Sequence, residues 1–427
     1  MNTRMKLPSL HWKIRKIDVF TFFVIFVFFP PSILERLTSF SDSLQRYVQL
    51  GFIIILAVDL FVRKAVRIPK SHLRWGLYCF YGLILTLLIE PSSTYRFVLR
   101  VGLPVFLAVL LCLFYQNRPD GMTCLLNCMN TYWVLLIALN CVTMLLFPDG
   151  IIRSSGGATM ERANWLLGSK NNVVLPLIFA SSVFMFHFLR KPKRRLINPI
   201  LFFAMVIFSM MWAGSNRVEA FGGSSTGLLA LLVFFLMLFL GRFPLRKHLM
   251  RLSVGWIAFA FCLLSAVVIW GSLHESSLIG SLFSIVGKDS TASYRTLIWA
   301  DALERTMESP IWGRGYTVET LVSGFTQTYN MFLDCVYRYG LIGLFLLLFA
   351  FGSYRSPQTA LSGRKIIPAY VFLAGAVSMF LCAVVNSIKL EHIIVLLEFY
   401  IFLQNDRTLQ TPDAAAPAGR AVSLHDR

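Results

Sequence analysis

The sequence predicts an all-α, polytopic integral membrane protein. It has about twelve transmembrane helices and one large polar loop that contains a short helix. Three observations carry the prediction. Apolar runs of about twenty residues recur along the chain, the length that crosses a hydrocarbon core of about 30 Å. Hydrophobic residues make up 56% of the 427 and charged residues only 14%, which excludes a soluble domain. Lys and Arg concentrate on alternate connectors, the asymmetry that orients membrane proteins.

A basic start with Lys6, Lys13, Arg15 and Lys16 precedes a first span near Ile17–Leu34. Pro30-Pro31 and Glu35 follow instead of a small-residue cleavage site, so the run reads as a retained span and not a signal peptide. The second span, about Leu44–Val62, ends on Arg63, Lys64, Arg67 and Lys70. The third (Leu73–Ile89) and fourth (Tyr95–Tyr115) flank a tight turn at Glu90-Pro91-Ser92-Ser93. The fifth, near Leu125–Phe147, leads into a polar loop with Arg153, Glu161, Arg162 and Asn164. The sixth (Asn172–Leu189) and seventh (Ile197–Ala213) enclose the basic run Arg190 to Arg195. Arg217 and Glu219 precede the eighth, about Thr226–Leu240. The ninth, Val254–Trp270, enters the large loop. The tenth (Phe332–Phe351), the eleventh (Ile366–Val385) and a weaker twelfth (Ile393–Leu403) complete one membrane domain, residues 1–404. Residues 405–427, rich in Ala and Pro, read as a disordered tail.

With the N-terminus inside, the inner connectors collect roughly two thirds of the basic residues, which places both termini in the cytoplasm. Most of the net charge of +19 is thereby topogenic or in contact with anionic lipid, and no nucleic-acid module is visible. The eight cysteines lie in or beside apolar runs, so no disulfide framework is expected. Cys124 and Cys128, four apart on a helix, read as packing.

The loop at residues 273–330 is the expected working part, because functional residues gather on loops carried by rigid scaffolds. Within it, Leu297, Ile298, Ala302, Leu303 and Met307 repeat at helical spacing. Arg295, Glu304, Arg305 and Glu308 sit largely off that face. Ser309-Pro310 stops the helix, and Gly313-Arg314-Gly315 permits an irregular turn. The helix is expected to lie on the outer membrane surface. Outer basic residues are mostly arginine, with Lys170, Lys288 and Lys389 the exceptions. Arginine's planar fork binds phosphate through paired hydrogen bonds. A vestibule lined by Arg100, Arg217, Arg314 and Arg338 therefore suits a phosphate-bearing amphiphile. Arg100, four residues after Arg96, either faces a polar cavity or snorkels to the interface.

No Walker loop, zincin helix, nucleophile elbow or dinucleotide fingerprint is present. Instead the chain carries Gly168-Ser-Lys-Asn171, Ser225-Thr226-Gly227, Arg295-Thr-Leu-Ile-Trp299, Pro310-Ile-Trp-Gly313-Arg-Gly315, Tyr329-Asn330-Met-Phe-Leu333 and Gly340-Leu-Ile-Gly343 in that order. Over residues 160–345 this set resembles the bacterial O-antigen ligase and polysaccharide polymerase family. The resemblance implies a metal-independent glycosyltransferase with no cofactor, in the plasma membrane. It would move a glycan from a polyprenyl-diphosphate carrier to an acceptor hydroxyl on the outer face. Polymerisation of a cell-surface polysaccharide is the leading expectation. Ligation to lipid A core is the alternative within the family, and a transporter or flippase of a lipid-linked glycan the alternative outside it. A glycan acceptor, the bilayer and a chain-length regulator are the implied partners.

Carried over residue by residue, Arg295 matches the family's diphosphate-binding arginine, and Arg217 stands where a second often lies. Asn330 matches the family's asparagine, whose other reading is a helix cap. Tyr329 occupies the position of the histidine that activates the acceptor. Tyr329 would then orient the acceptor by hydrogen bond. His274, Glu275 and Glu319 share the loop as other candidate bases, and a mechanism without a strong base also stays open. Trp299 and Trp312 suit either sugar stacking or interfacial anchoring.

Overall fold

The structure is a computed structural model. It describes residues 16–34, 39–62, 68–118, 120–156, 160–169, 172–190, 196–212, 224–243, 245–274, 276, 280–281, 295–317, 319–355, 367–386 and 389–405. Arg217, Glu275, Lys288 and the expected disordered tail beyond 405 lie outside the described residues.

Each predicted apolar run is helical, in order. α1 is Lys16–Phe28, α2 Ser39–Val62, α3 Lys70–Ile89, α4 Leu103–Gln116 and α5 Gly121–Leu146. α6 is Val174–Arg190, α7 Ile197–Trp212, α8 Ser225–Leu240, with a short α9 at Leu245–Arg251 and α10 at Val254–Leu273. α11, Arg295–Met307, is the loop helix; α12 is Met331–Phe351, α13 Ile367–Ala383 and α14 Leu390–Asn405. By length and composition, α2, α3, α5, α10, α12 and α4 with its lead-in from Pro91 are long and apolar enough to cross a membrane. Apolar stretches in α1, α6, α7, α8 and α13 are shorter. The chain is thus an all-α, multi-pass membrane protein.

α13 is apolar all round, and its described residues from Ala369 to Ala383 are buried, except half-buried Leu381. A helix without a polar face belongs in the centre of a bundle, and α13 packs against α6, α8 and α14. Two buried serines are satisfied within their own helices: Ser378 of α13 donates to Ala374 O at 2.9 Å, and Ser181 of α6 donates to Leu177 O at 2.7 Å. α2 lies at the periphery, with Ile54, Ile55, Val58 and Phe61 exposed, as a lipid-facing helix requires.

Alternating helix directions define two ends. At one, buried Glu398 of α14 accepts from Tyr354 OH at 2.7 Å and from Gln116 Nε2 at 3.0 Å, and Trp75 Nε1 donates to Tyr354 OH at 3.0 Å. This clamp joins α3, α4, α14 and the exit from α12. At the other end lie the Pro30-Pro31 turn, the large loop and the connector after α5. That connector contains an antiparallel hairpin, β1 (Ile152–Gly156) with β2 (Met160–Asn164), which the sequence reading treats only as a polar loop.

Two helices depart from regularity at this second end. The fourth span enters through Thr94–Phe97 and a π-turn at Val98–Gly102 before α4. α12 breaks at Gly340, where φ is 64° and ψ −169°. The loop replaces the lost helical bonds: Leu341 N donates to Pro310 O at 2.9 Å, Ile342 N to Ile311 O at 3.2 Å, and Gly315 N to Arg338 O at 2.7 Å.

α11 ends at Met307, just before Ser309-Pro310, as expected. Its orientation corrects the sequence reading. The buried face is Arg295, Ile298, Trp299, Ala302 and Thr306, whereas Leu297 and Met307 are exposed. The helix docks on α10 and α12. Trp299, the largest side chain, sets the phase, and Arg295 turns inward with it because buried polar partners await it.

Candidate functional site: a cationic cavity beneath the loop

A cavity of about 630 Å³ lies at the loop end of the bundle. Its walls come from the end of α1, the start of α2, the π-turn and α4, the connector before α6, the loop after Tyr316, the first half of α12, and the α13–α14 connector. Its size falls in the ordinary range for small-molecule sites, about 300–1,000 Å³. Among the described residues its charged lining is Arg46, Arg100, Arg338 and Lys389 against Asp334 and Glu391.

Arg338 is the most constrained cation. It is 5% exposed. Its Nε donates to Asp334 Oδ2 at 2.9 Å and its Nη2 to Thr326 O at 2.7 Å. The guanidinium lies 4.5 Å from the Tyr316 ring centroid. A buried charge needs such partners, and here they leave a fixed fork at the cavity wall. Arg46 reaches across from α2, its Nη1 donating to Leu99 O at 2.8 Å. A π-turn shifts the backbone pairing by a residue and often marks a functional site. Leu99, Arg100 and Val101 of this one all line the cavity. Ser169 lines it too, placed by the tight Trp165–Gly168 turn, in which Gly168 N donates to Trp165 O at 2.9 Å with Gly168 at φ 104°.

Tyr329 lines the cavity in a left-handed backbone conformation, φ 53°, unusual for a bulky residue. Three sequence-predicted residues sit behind it and hold the segment 326–330 in place. Arg295 is buried, donates through Nη2 to Asn386 Oδ1 at 3.0 Å and lies 5.8 Å from the Tyr329 ring centroid. Trp299 is fully buried and donates through Nε1 to Thr328 O at 2.8 Å. Asn330 Oδ1 accepts from Leu333 N at 2.9 Å, capping α12, while its Nδ2 donates to Ser265 Oγ and to Val384 O at 2.7 Å. Those bonds link α10, α12 and the end of α13.

The structure therefore brings Tyr329, Arg338 and Arg100 to one cavity and stacks Arg295, Trp299 and Asn330 beneath it. Arg314 lies apart, paired with Glu308 and Glu319 at 3.1 Å each. Glu319 also reaches Arg305 at 3.5 Å, and Arg305 is held by Asp301 at 2.7 Å; that aspartate hydrogen bond raises the arginine's pKa. These pairs brace the loop surface. His274 is exposed, stacked on Trp270 at 4.1 Å.

Sequence reasoning did not single out Arg46, Asn386, Glu391 or His392 as cavity residues. Arg46 carried a usable signal, an arginine inside an apolar run. Lys389 and Glu391 stand immediately before the last apolar run, and their meeting with the loop depends on tertiary contact alone. At the opposite end of α1, Asp18, Cys124 and Cys128 place potential ligand atoms within 4.8 Å of one another; Cys124 Sγ donates to Asp18 Oδ1 at 3.2 Å.

Residues 220–348, from before α8 to within α12, match the O-antigen ligase family. No curated protein and no solved structure matches the chain.

Proposed function

We propose that this chain, whose residues 220–348 match the O-antigen ligase family, transfers a glycan from a polyprenyl-diphosphate carrier to an acceptor hydroxyl, and that it does so in the cationic cavity. Membrane glycosyl transfer of the ligase and polymerase type is what the family match supports. The observation that carries the finer reading is the fixed, buried Arg338 facing Arg46, Arg100 and Lys389 across one space. Departure of the diphosphate develops negative charge, and preorganised cations in a site of low dielectric stabilise it strongly. Arginine forks suit diphosphate oxygens better than a point charge.

In this reading Arg338 and Arg100 hold the diphosphate, with Arg46 and Lys389 around it. Tyr329 orients the acceptor from the loop side. Arg295, Trp299 and Asn330 position Tyr329 and the segment that carries it. The cavity end faces the outside of the plasma membrane, both termini face the cytoplasm, and the product is a polymer of repeat units. Ligation to lipid A core uses the same donor chemistry. Reconstituted chain given polyprenyl-diphosphate-linked repeat units tests all of this. Polymer formation supports the proposal, attachment to added lipid A core alone assigns ligation, and an unreacted donor appearing on the other side of the vesicle refutes glycosyl transfer.

A further inference from the structure

We infer that Asp18, Cys124 and Cys128 form a binding site for a thiophilic cation, zinc(II), that staples α1 to α5. Cys124 and Cys128 alone read as packing, because two thiols on one helix face do not make a site. α1 adds the third ligand, through a contact that the sequence does not reveal. The site is separate from the cavity. Asp18 and Phe28 stand at opposite ends of α1, about 15 Å apart at 1.5 Å per residue, and Phe28 lines the cavity. The cation therefore holds two helices together and takes no part in glycosyl transfer.

The spacing of four residues puts both sulfurs on one face of α5. With the Asp18 carboxylate, the three ligand atoms all lie within 4.8 Å of one another. Cys124 Sγ is 3.2 Å from Asp18 Oδ1. Zinc bonds sulfur at about 2.3 Å and carboxylate oxygen at about 2.0–2.2 Å, so neighbouring ligands of a tetrahedron stand roughly 3.5–3.8 Å apart. The cluster needs only a small adjustment to reach that shape. An outer contact is already in place. Thr21 Oγ1 is 3.5 Å from Cys124 Sγ, and Tyr115 OH donates to that same Oγ1 at 2.8 Å. Against a thiolate the threonine hydroxyl is the donor, the kind of second contact that orients a metal ligand. Cys124 is buried, whereas Asp18 and Cys128 are half-buried, which leaves a path for an ion to enter.

Two sulfurs and one carboxylate select the cation. Magnesium and calcium take oxygen ligands, whereas thiolates favour softer ions such as zinc(II) and copper(I). On binding, each thiol gives up its proton to water and its sulfur pair bonds the metal, so one zinc(II) releases two protons and no electron moves. Three protein ligands leave a fourth position for water. Asp18, Cys128 and Thr21 make further contacts as well. Metal binding does not require idle ligands: a carboxylate that gives one oxygen to the ion keeps the other for its partners. With both termini in the cytoplasm the cluster lies on the reducing side, where thiols persist.

The test uses the full-length chain in detergent, reduced and freed of metal, titrated first with cobalt(II) and then with zinc(II). Wild type, Cys124→Ser, Cys128→Ser, the double serine variant and Asp18→Asn are compared. Cobalt should give the absorption of a tetrahedral ion with thiolate charge-transfer bands, saturating at one ion per chain, and zinc should displace it. Zinc should also raise the apparent Tm of the wild type, because an ion that binds only the folded chain stabilises it. Each serine variant should bind zinc more weakly by a factor beyond the roughly ten- to hundredfold typical of losing an outer partner, and zinc should no longer raise its Tm. Asp18→Asn should weaken binding and keep the thiolate bands. Absence of those bands in the wild type overturns the site. So do equal bands in the double serine variant, which would assign them to the other cysteines, and a wild-type Tm that zinc leaves unchanged. If Cys124→Ser fails to fold, Cys128→Ser gives the same readout from a half-buried position. None of these measurements uses turnover, so the site stands or falls apart from the glycosyl-transfer reading.

Discussion

Gly313 and Gly340 meet backbone to backbone. Both have positive φ, 84° and 64°, and a Cβ built on either would collide with backbone atoms of the other. The two glycine motifs that stand apart in sequence are therefore one joint. The loop strand supplies the carbonyls that α12 loses at its break, and the break points Arg338 at the cavity.

Gly340→Ala should lower the apparent Tm of the detergent-solubilised protein and abolish activity. At φ 64° and ψ −169° the backbone sits in a region essentially open to glycine alone, costing another residue about 1–3 kcal/mol, and overlap with Ile311 O and Gly313 N adds to it. Gly313→Ala should behave alike. Because both changes break one contact, the double variant should lose much less than the sum of the two singles. Additive losses in thermal melts would show that the glycines act independently.

Much of the bundle was legible in the sequence because lipid imposes a simple rule: backbone polar groups must be satisfied within a helix. Apolar length therefore located all of the long helices, and Ser309-Pro310 correctly closed α11. The phase of α11 was not legible. Arg295 reads as lying off the apolar face, and its inward turn goes with contacts to buried Asn386 and half-buried Tyr329, both distant in sequence. The cavity was half legible. Tyr329, Arg338 and Arg100 stand out as polar residues on the loop side, whereas Arg46, Asn386 and Glu391 reach it through packing of α2 and α14 that no local pattern encodes.

Arg338→Lys should lose most of the activity, and Arg338→Ala nearly all. The guanidinium bonds Asp334 and Thr326 O and lies over the Tyr316 ring; an ammonium replaces a single bond of the set. Loss of one preorganised charge-stabilising donor typically costs about 3–4 kcal/mol, roughly a hundred- to thousand-fold in rate. Near-normal product from a folded Arg338→Ala chain would remove it from the site. Asp334→Asn should be milder at saturating donor and should raise the donor KM by loosening the same fork.

Arg295→Ala should also reduce activity roughly a hundred- to thousand-fold, but by a different route. Arg295 contacts the back of Tyr329 and Asn386, so its removal should mobilise the Tyr329 segment. Faster hydrogen exchange across residues 326–330 would accompany the lost activity. Lost activity with unchanged exchange would instead point to direct contact between Arg295 and the diphosphate.

Topology is read from Lys/Arg asymmetry, and a single introduced cysteine checks it. Lys288→Cys should react with an impermeant maleimide on intact spheroplasts. Background labelling should be low, since all eight native cysteines are buried or half-buried. Labelling that appears only after the membrane is opened would invert the orientation and remove the outer-face mechanism.

Tyr329 carries the last prediction. Its ring lies edge-on to Phe325 at 5.7 Å, its backbone is left-handed, and its side chain faces the cavity. The hydroxyl is the group proposed to orient the acceptor, so Tyr329→Phe should keep the fold and lower turnover roughly ten- to a hundred-fold, at or below the range for removing a general acid or base. Tyr329→His should retain substantial activity. Histidine offers a donor and an acceptor at the same place, and it tolerates the left-handed region better than most residues. Tyr329→Val tests the backbone separately: a β-branched residue is strongly disfavoured at positive φ, so this variant should lose stability as well as activity. The measurements are product formed per minute from lipid-linked donor and the apparent Tm of each variant. If Tyr329→Phe turns over at the wild-type rate while Tyr329→Val melts early, the residue shapes the loop and takes no part in holding the acceptor.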